Sequence, residues 1–127
     1  IAKLGLVSTA LTALSLGGNK IGDVGAIAMG NALAVNVSLT YIDLDRNSIG
    51  DEGATAIAKA LAVNASLTKL RLGRNSIGDA GATAMGNALA VNASLTELRL
   101  FNNSIGDAAQ GALRASVEGR QGFSMYL

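Results

Sequence analysis

Leu67 to Ser94 reads LTKLRLGRNSIGDAGATAMGNALAVNAS, and two earlier stretches of the chain are near copies of it. Leu39 to Ser66 reads LTYIDLDRNSIGDEGATAIAKALAVNAS, and Leu11 to Ser38 reads LTALSLGGNKIGDVGAIAMGNALAVNVS. Leu11, Leu39, Leu67 and Leu95 recur every 28 residues. Self-similarity at such a period predicts a solenoid, because one unit cannot bury its apolar face without a stacked neighbour.

Within a unit the apolar rhythm changes. In LTKLRL, alternation sends Leu70 and Leu72 into the array and Lys69 and Arg71 to the opposite face, as in a short strand. After Asn75, Ala82, Met85, Gly86 and Leu89 fall at helical spacing, with Gly86 the weak member. Asp79 precedes that run and is expected to be its N-cap, accepting from the first-turn amides. Asn92 follows it and is expected to end the helix in the left-handed conformation. Each unit therefore reads strand, turn, helix, loop.

The pattern LxxLxLxxNxIGDxGAxAxxxAL followed by NxSL resembles the leucine-rich repeat, in the long subtype of ribonuclease inhibitor and of intracellular nucleotide-binding receptors. The resemblance spans four strand-bearing units from Leu11 onward and weakens in the helix half of the fourth. It implies an α/β right-handed horseshoe, with a parallel sheet on the concave face and helices on the convex face. It also implies that Asn19, Asn47, Asn75 and Asn103 stack as a ladder. The physical reason is plain: a buried turn with unpaired backbone groups would cost about 1–3 kcal/mol for each.

A single domain is expected for 127 residues, with repeats at 11–38, 39–66, 67–94 and 95–122 and a terminal cap strand at 123–127. Shifted by one period, residues 1–10 align with the end of a helix and its loop, which reads as the tail of a truncated repeat in a fragment of a larger protein. The final FSMYL aligns with LTELR and puts Phe123 and Tyr126 at leucine positions. Bulky residues there suit the end of a solenoid, whose last core face has no neighbour.

Composition excludes much chemistry. There is no Cys and no His, so neither a disulfide framework nor a Cys/His or Ser/His/Asp set can form, and the commonest metal ligand is missing. The formal net charge of +1 argues against nucleic acid or an anionic membrane as partner. No apolar run approaches the ~18 residues of a membrane span, and IAKLGLVSTA has no signal-peptide cleavage pattern. A cytoplasmic location is the expectation.

The repeated Asp23, Asp51, Asp79 and Asp107 supply one carboxylate per unit, short of the about six to eight oxygens that calcium takes. The IGDxGA glycines lack the Lys-Ser or Lys-Thr of a phosphate loop and instead suit close packing. Asp43 and Asp45 share a strand face but have no apolar enclosure to raise a pKa. Sequons at Asn36, Asn64, Asn92 and Asn102 come without evidence of secretion, and three of them are one loop repeated. Neither a cofactor nor an enzymatic activity is expected.

The outward strand positions carry the functional reading. Units two and three differ at eight of 28 positions, and three of those eight are outward strand residues. A framework copied with its changes gathered on one face suits a binding surface on a rigid scaffold. Neighbouring strands lie ~4.8 Å apart, which predicts three rows: Tyr41–Lys69–Glu97, Asp43–Arg71–Arg99 and Asp45–Gly73–Phe101. Arg74 extends the patch at its rim. Pairing along the rows would join Asp43 to Arg71 and Lys69 to Glu97, each worth ~0–1 kcal/mol, while Arg71 beside Arg99 is left unbalanced.

The expected function is protein–protein recognition through the concave face. Alternatives are a structural or self-associating segment of a receptor, or a GTPase-activating module, for which these short uniform units offer no catalytic-support loop. The strand around Leu11 to Leu16 carries neither charge nor Pro, so two readings of the N-terminal end stand side by side: residues 1–10 fold across it as a cap, or a homodimer forms through that edge with Ile1, Leu4 and Val7 beside it.

Overall fold

Three-residue strands alternate with helices of 10 to 14 residues over residues 11–127, the part of the chain that the computed structural model describes. The order is β1 (Ala13–Ser15), α1 (Gly22–Val35), β2 (Tyr41–Asp43), α2 (Asp51–Leu61), β3 (Lys69–Arg71), α3 (Asp79–Val91), β4 (Glu97–Arg99), α4 (Asp107–Ser116) and β5 (Ser124–Tyr126). Among the described residues the strands form one parallel sheet in chain order. Each helix returns the chain to the start of the next strand, and consecutive helices, α1 on α2, α2 on α3 and α3 on α4, pack on one another. The result is an α/β solenoid. No helix among the described residues is long and apolar enough to cross a membrane.

The core lies between sheet and helices. Ile42, Leu44, Leu70, Leu72, Leu98 and Leu100 from the strands are buried against Met29, Leu33, Ile57, Leu61, Met85 and Leu89 from the helices. Each such side chain contributes about 1.5–3 kcal/mol when fully buried. Lys69, one residue from the fully buried Leu70, is exposed. The alternation thus follows the pleat, with the helical period taking over after each turn.

Polar groups at the turns are satisfied across units. The Asn47 Oδ1 accepts from the Asn19 and Ile21 amides of the preceding unit, at 2.9 and 3.2 Å, while its Nδ2 donates to the Leu16 and Asp45 carbonyls. Asn75 repeats this toward Asn47, Ile49 and Leu44. Asn103 does so toward Ile77 and Leu72. Asn19 holds its own turn by donating to Leu16 and Gly17. The bonds that cross between units satisfy backbone groups that the stacking withdraws from water.

Two local expectations are corrected. Asp79 is not the N-cap of α3: Gly78 occupies that position, and its helix is capped from outside. The first-turn amides of Gly78 and Gly81 donate to Oδ1 of Asp51, one unit back, at 2.7 and 2.9 Å. Asp23 serves Gly50 and Gly53 in the same way, and Asp79 serves Gly106. The carboxylate sits beside the positive end of the neighbouring helix, so it satisfies both donors and dipole there. Gly53 and Gly81 are required by this approach, since a Cβ would lie 2.7 Å and 2.9 Å from those carboxylate oxygens.

Asn92 does not adopt the left-handed conformation, its φ and ψ being −81° and 131°. It forms a second ladder instead. The Asn92 Oδ1 accepts from Ser94 and Leu95, and its Nδ2 donates to the Leu61 and Asn64 carbonyls. Asn64 makes the matching set. Both side chains are buried with the amide nitrogen engaged, so in the folded chain neither sequon offers a nitrogen for glycosylation.

The last strand is also displaced from its expected frame. Leu98 pairs with Met125 and Arg99 with Tyr126, one residue short of the period. The unit lacks the threonine whose equivalents, Thr40, Thr68 and Thr96, donate through Oγ1 to the preceding strand. Met125 therefore packs against the core and Tyr126 turns outward, 44% exposed. Residues 1–10, and with them Ile1, Leu4 and Val7 of the expected edge dimer, lie outside the described residues.

Leu70→Ala is expected to lower stability by about 2–5 kcal/mol, and Lys69→Ala by no more than about 0.5 kcal/mol, in urea melts. The four aspartates separate capping of a neighbour from capping of one's own helix. Asp51→Ala should cost about 1–2 kcal/mol, whereas Asp107→Ala, at an exposed residue with no such amides to hold, should fall within about 0.5 kcal/mol. Equal losses would return the caps to their own helices.

Candidate functional site

The strand face is assembled by the register. Tyr41, Lys69, Glu97 and Ser124 lie side by side on β2 to β5, and Asp43, Arg71, Arg99 and Tyr126 form the next row. Asp45, Gly73 and Phe101 follow just past the strands, where the Gly73 amide donates to the Asp45 Oδ1 at 2.7 Å. Lys69 is exposed, and Tyr41, Asp43, Asp45, Arg71, Glu97, Arg99 and Phe101 are half-buried. Arg74 is exposed at the turn beyond β3.

Within these rows the charges do not pair as alternation suggested. Neither Asp43–Arg71 nor Lys69–Glu97 forms an ion pair, and the salt bridge among the described residues runs along β4, from the Arg99 Nε to the Glu97 Oε2 at 3.1 Å. Asp43 turns to its own backbone, its Oδ1 accepting from the Asp45 amide at 3.0 Å. A short acidic side chain reaches an amide two residues on more readily than a guanidinium on the next strand, which is the usual local competition for Asp.

The arginines lie over rings instead. The Arg71 guanidinium carbon is 5.3 Å from the Tyr41 centroid, that of Arg99 is 5.0 Å from Tyr126, and that of Arg74 is 5.8 Å from Phe101. A guanidinium over an aromatic face gains about 0.5–1 kcal/mol at exposed sites. The arrangement separates Arg71 from Arg99 in its surroundings: Arg99 has a carboxylate and a ring, while Arg71 has a ring alone. The Arg71 Nε is buried with no hydrogen-bond partner among the described residues.

Phe101 has space because Gly73 has no side chain. A Cβ there would meet the ring at 2.4 Å. The turn residues Arg46 and Arg74 have φ of 58° and 55°, in the left-handed region that side-chain-bearing residues avoid; units one and four carry Gly18 and Asn102 there, types that tolerate it.

Tyr126 is the site residue that sequence reasoning placed inside, and only the missing threonine position in FSMYL could have revealed it. Arg120 was also missed. It stands one period after Asn92 and sends Nη1 and Nη2 to the Leu89 and Leu95 carbonyls at 3.1 and 2.8 Å. Its guanidinium lies 4.9 Å from the Phe123 ring.

A parallel sheet whose turns are held by side-chain ladders defines a solenoid repeat protein with an open, polar and aromatic strand face. The model of the leucine-rich repeat family matches residues 7–30, 35–58, 63–86 and 91–109. The chain belongs to the leucine-rich repeat family. Among solved structures it is similar to the actin-binding site 2 of leiomodin-1, at 24% identity and a TM-score of 0.86, covering 94% of this chain and 71% of that one. It is likewise similar to the C-terminal domain of Caenorhabditis elegans tropomodulin, at 14% identity and a TM-score of 0.84, covering 95% and 75%. These likenesses show the fold. No curated protein matches the chain.

Gly73→Ala is expected to destabilise the chain by about 1–3 kcal/mol through the clash with Phe101. Combining it with Phe101→Ala should recover most of the loss beyond that of Phe101→Ala alone, a non-additivity that a double-mutant cycle reads directly.

Proposed function

We propose that this chain is a non-enzymatic protein-binding module, and that a protein partner docks on the concave strand face. One observation carries the reading. Tyr41, Phe101 and Tyr126, three of the four aromatic residues, lie on that face together with Arg71, Arg74 and Arg99, while the ladders and caps lie away from it. Aromatic residues and arginine dominate binding energy at protein interfaces. The face can therefore vary from unit to unit without disturbing what holds the units together.

The partner is not named by the fold. The leiomodin-1 domain is described as an actin-binding site, which makes actin the first protein to test and no more than that at this identity. A cytoplasmic location is proposed with this reading.

For actin, or for a partner isolated by affinity capture, Arg71→Glu is expected to weaken binding by about 2 kcal/mol or more in calorimetric titration. Lys59→Glu, an exposed position on α2, should change it by less than about 0.5 kcal/mol. Equal effects of the two reversals would move the site off the strand face.

A further inference from the structure

Resting on the strand-face reading, we propose that the partner is an acidic protein segment, one of whose carboxylates docks on Arg71. The carboxylates on this face are held by the chain's own donors: Asp43 by the Asp45 amide, Asp45 by the Gly73 amide and Glu97 by Arg99. None forms an ion pair with Arg71, Lys69 or Arg74 among the described residues. What the face leaves open is cationic. Arg71 is the centre of it, in the middle strand row, lying over Tyr41 with its buried Nε unpaired.

A guanidinium presents a planar fork of donors that matches a carboxylate in two parallel hydrogen bonds. The Tyr41 ring supports the plane of that fork without using any of its donors. A carboxylate arriving from solvent takes the two outer nitrogens. The site is complete only with such a group in place.

A second observation is independent of the first. Arg46 and Arg74 occupy left-handed turn positions, at φ of 58° and 55°, where the equivalent residues of units one and four are Gly18 and Asn102. Arginine gains nothing from that backbone, and both side chains are exposed at the rim of the same face. Two positive charges are thus kept at the turn end of this face, that of Arg74 over Phe101, at a conformational cost, which is what steering an acidic segment requires.

A nucleic acid is disfavoured by the same map. Asp43 stands directly beside Arg71 in the sheet, and Asp45 and Glu97 flank the neighbouring rows. A continuous phosphate backbone would meet these acids, whereas a peptide with spaced carboxylates and an aromatic between them would not.

The test uses the full chain and the peptide acetyl-Gly-Glu-Phe-Glu-Gly-amide, with its glutamine counterpart as control. Proton–nitrogen spectra follow the arginine Nε–H signals during titration, the Arg71 signal being assigned from Arg71→Lys. The expected result is a saturable shift of the Arg71 signal with the glutamate peptide and none with the glutamine peptide. Arg71→Met should weaken binding at least tenfold, and Lys59→Met by less than twofold, with unchanged thermal melts for both. The absence of an Arg71 shift, equal losses in the two variants, or tighter binding of a short oligothymidylate at the same signals would each overturn the proposal. The strand-face reading falls separately, if a captured partner perturbs the helices α1 to α4 and leaves Tyr41, Lys69 and Phe101 unchanged.

Discussion

Side chains that reach across one repeat to satisfy the backbone of another are what this structure depends on. A strand-turn-helix-loop unit of 28 residues turns sharply twice, and each turn leaves amides and carbonyls facing the core rather than water. Asn47, Asn75 and Asn103 reach back to the turn of the preceding unit, and Asn64 and Asn92 do the same at the opposite edge. Asp23, Asp51 and Asp79 reach forward to the next helix. An isolated unit would therefore lose more than apolar contact. It would also leave polar groups buried and unpaired, each at about 1–3 kcal/mol. This is the physical content of nearest-neighbour stability in a solenoid.

That dependence explains which parts of the molecule were legible in its sequence. Leucine spacing and strand alternation are local patterns, and Leu70, Leu72 and Lys69 stand where those patterns put them. Asp79 was misread because an Asp at a helix start looks the same whether it caps its own helix or the next one. Only the stacking distance decides, and the glycines at positions 53 and 81 record it, since they leave no Cβ against the carboxylate. The Asn of the AVNAS loop has the same ambiguity, because a helix-ending Asn and a ladder Asn share one letter in one place.

The strand face was legible in its register and not in its pairings. Period alone sets Tyr41 beside Lys69 and Asp43 beside Arg71. Which of two neighbours a flexible guanidinium chooses depends on small differences, and here the ring of Tyr41 on the adjacent strand wins over the carboxylate of Asp43. Tyr126 escaped for another reason. A single missing position shifts a strand by one residue, and with a side-chain period of two that exchanges inside for outside.

Arg120 shows how the second ladder changes at its last rung. An asparagine in this ladder has two tasks: its nitrogen donates to carbonyls of the preceding unit, and its oxygen accepts from the amides two and three residues ahead, as Asn64 does from Ser66 and Leu67. Arginine has donors and no acceptor, so it can take over only the first task, and Arg120 does so toward Leu89 of the preceding unit while also donating to Leu95 of its own. The chain ahead of it must then be held by other means, and the Phe123 amide donates to the Arg120 backbone carbonyl at a long 3.4 Å. Freed from the asparagine's grip, the segment after Arg120 reaches β5 in a shorter path. That shorter path turns Met125 toward the core and brings Tyr126 out to meet Arg99. The exchange of one ladder residue thus accompanies the change of register that adds an aromatic ring to the strand face.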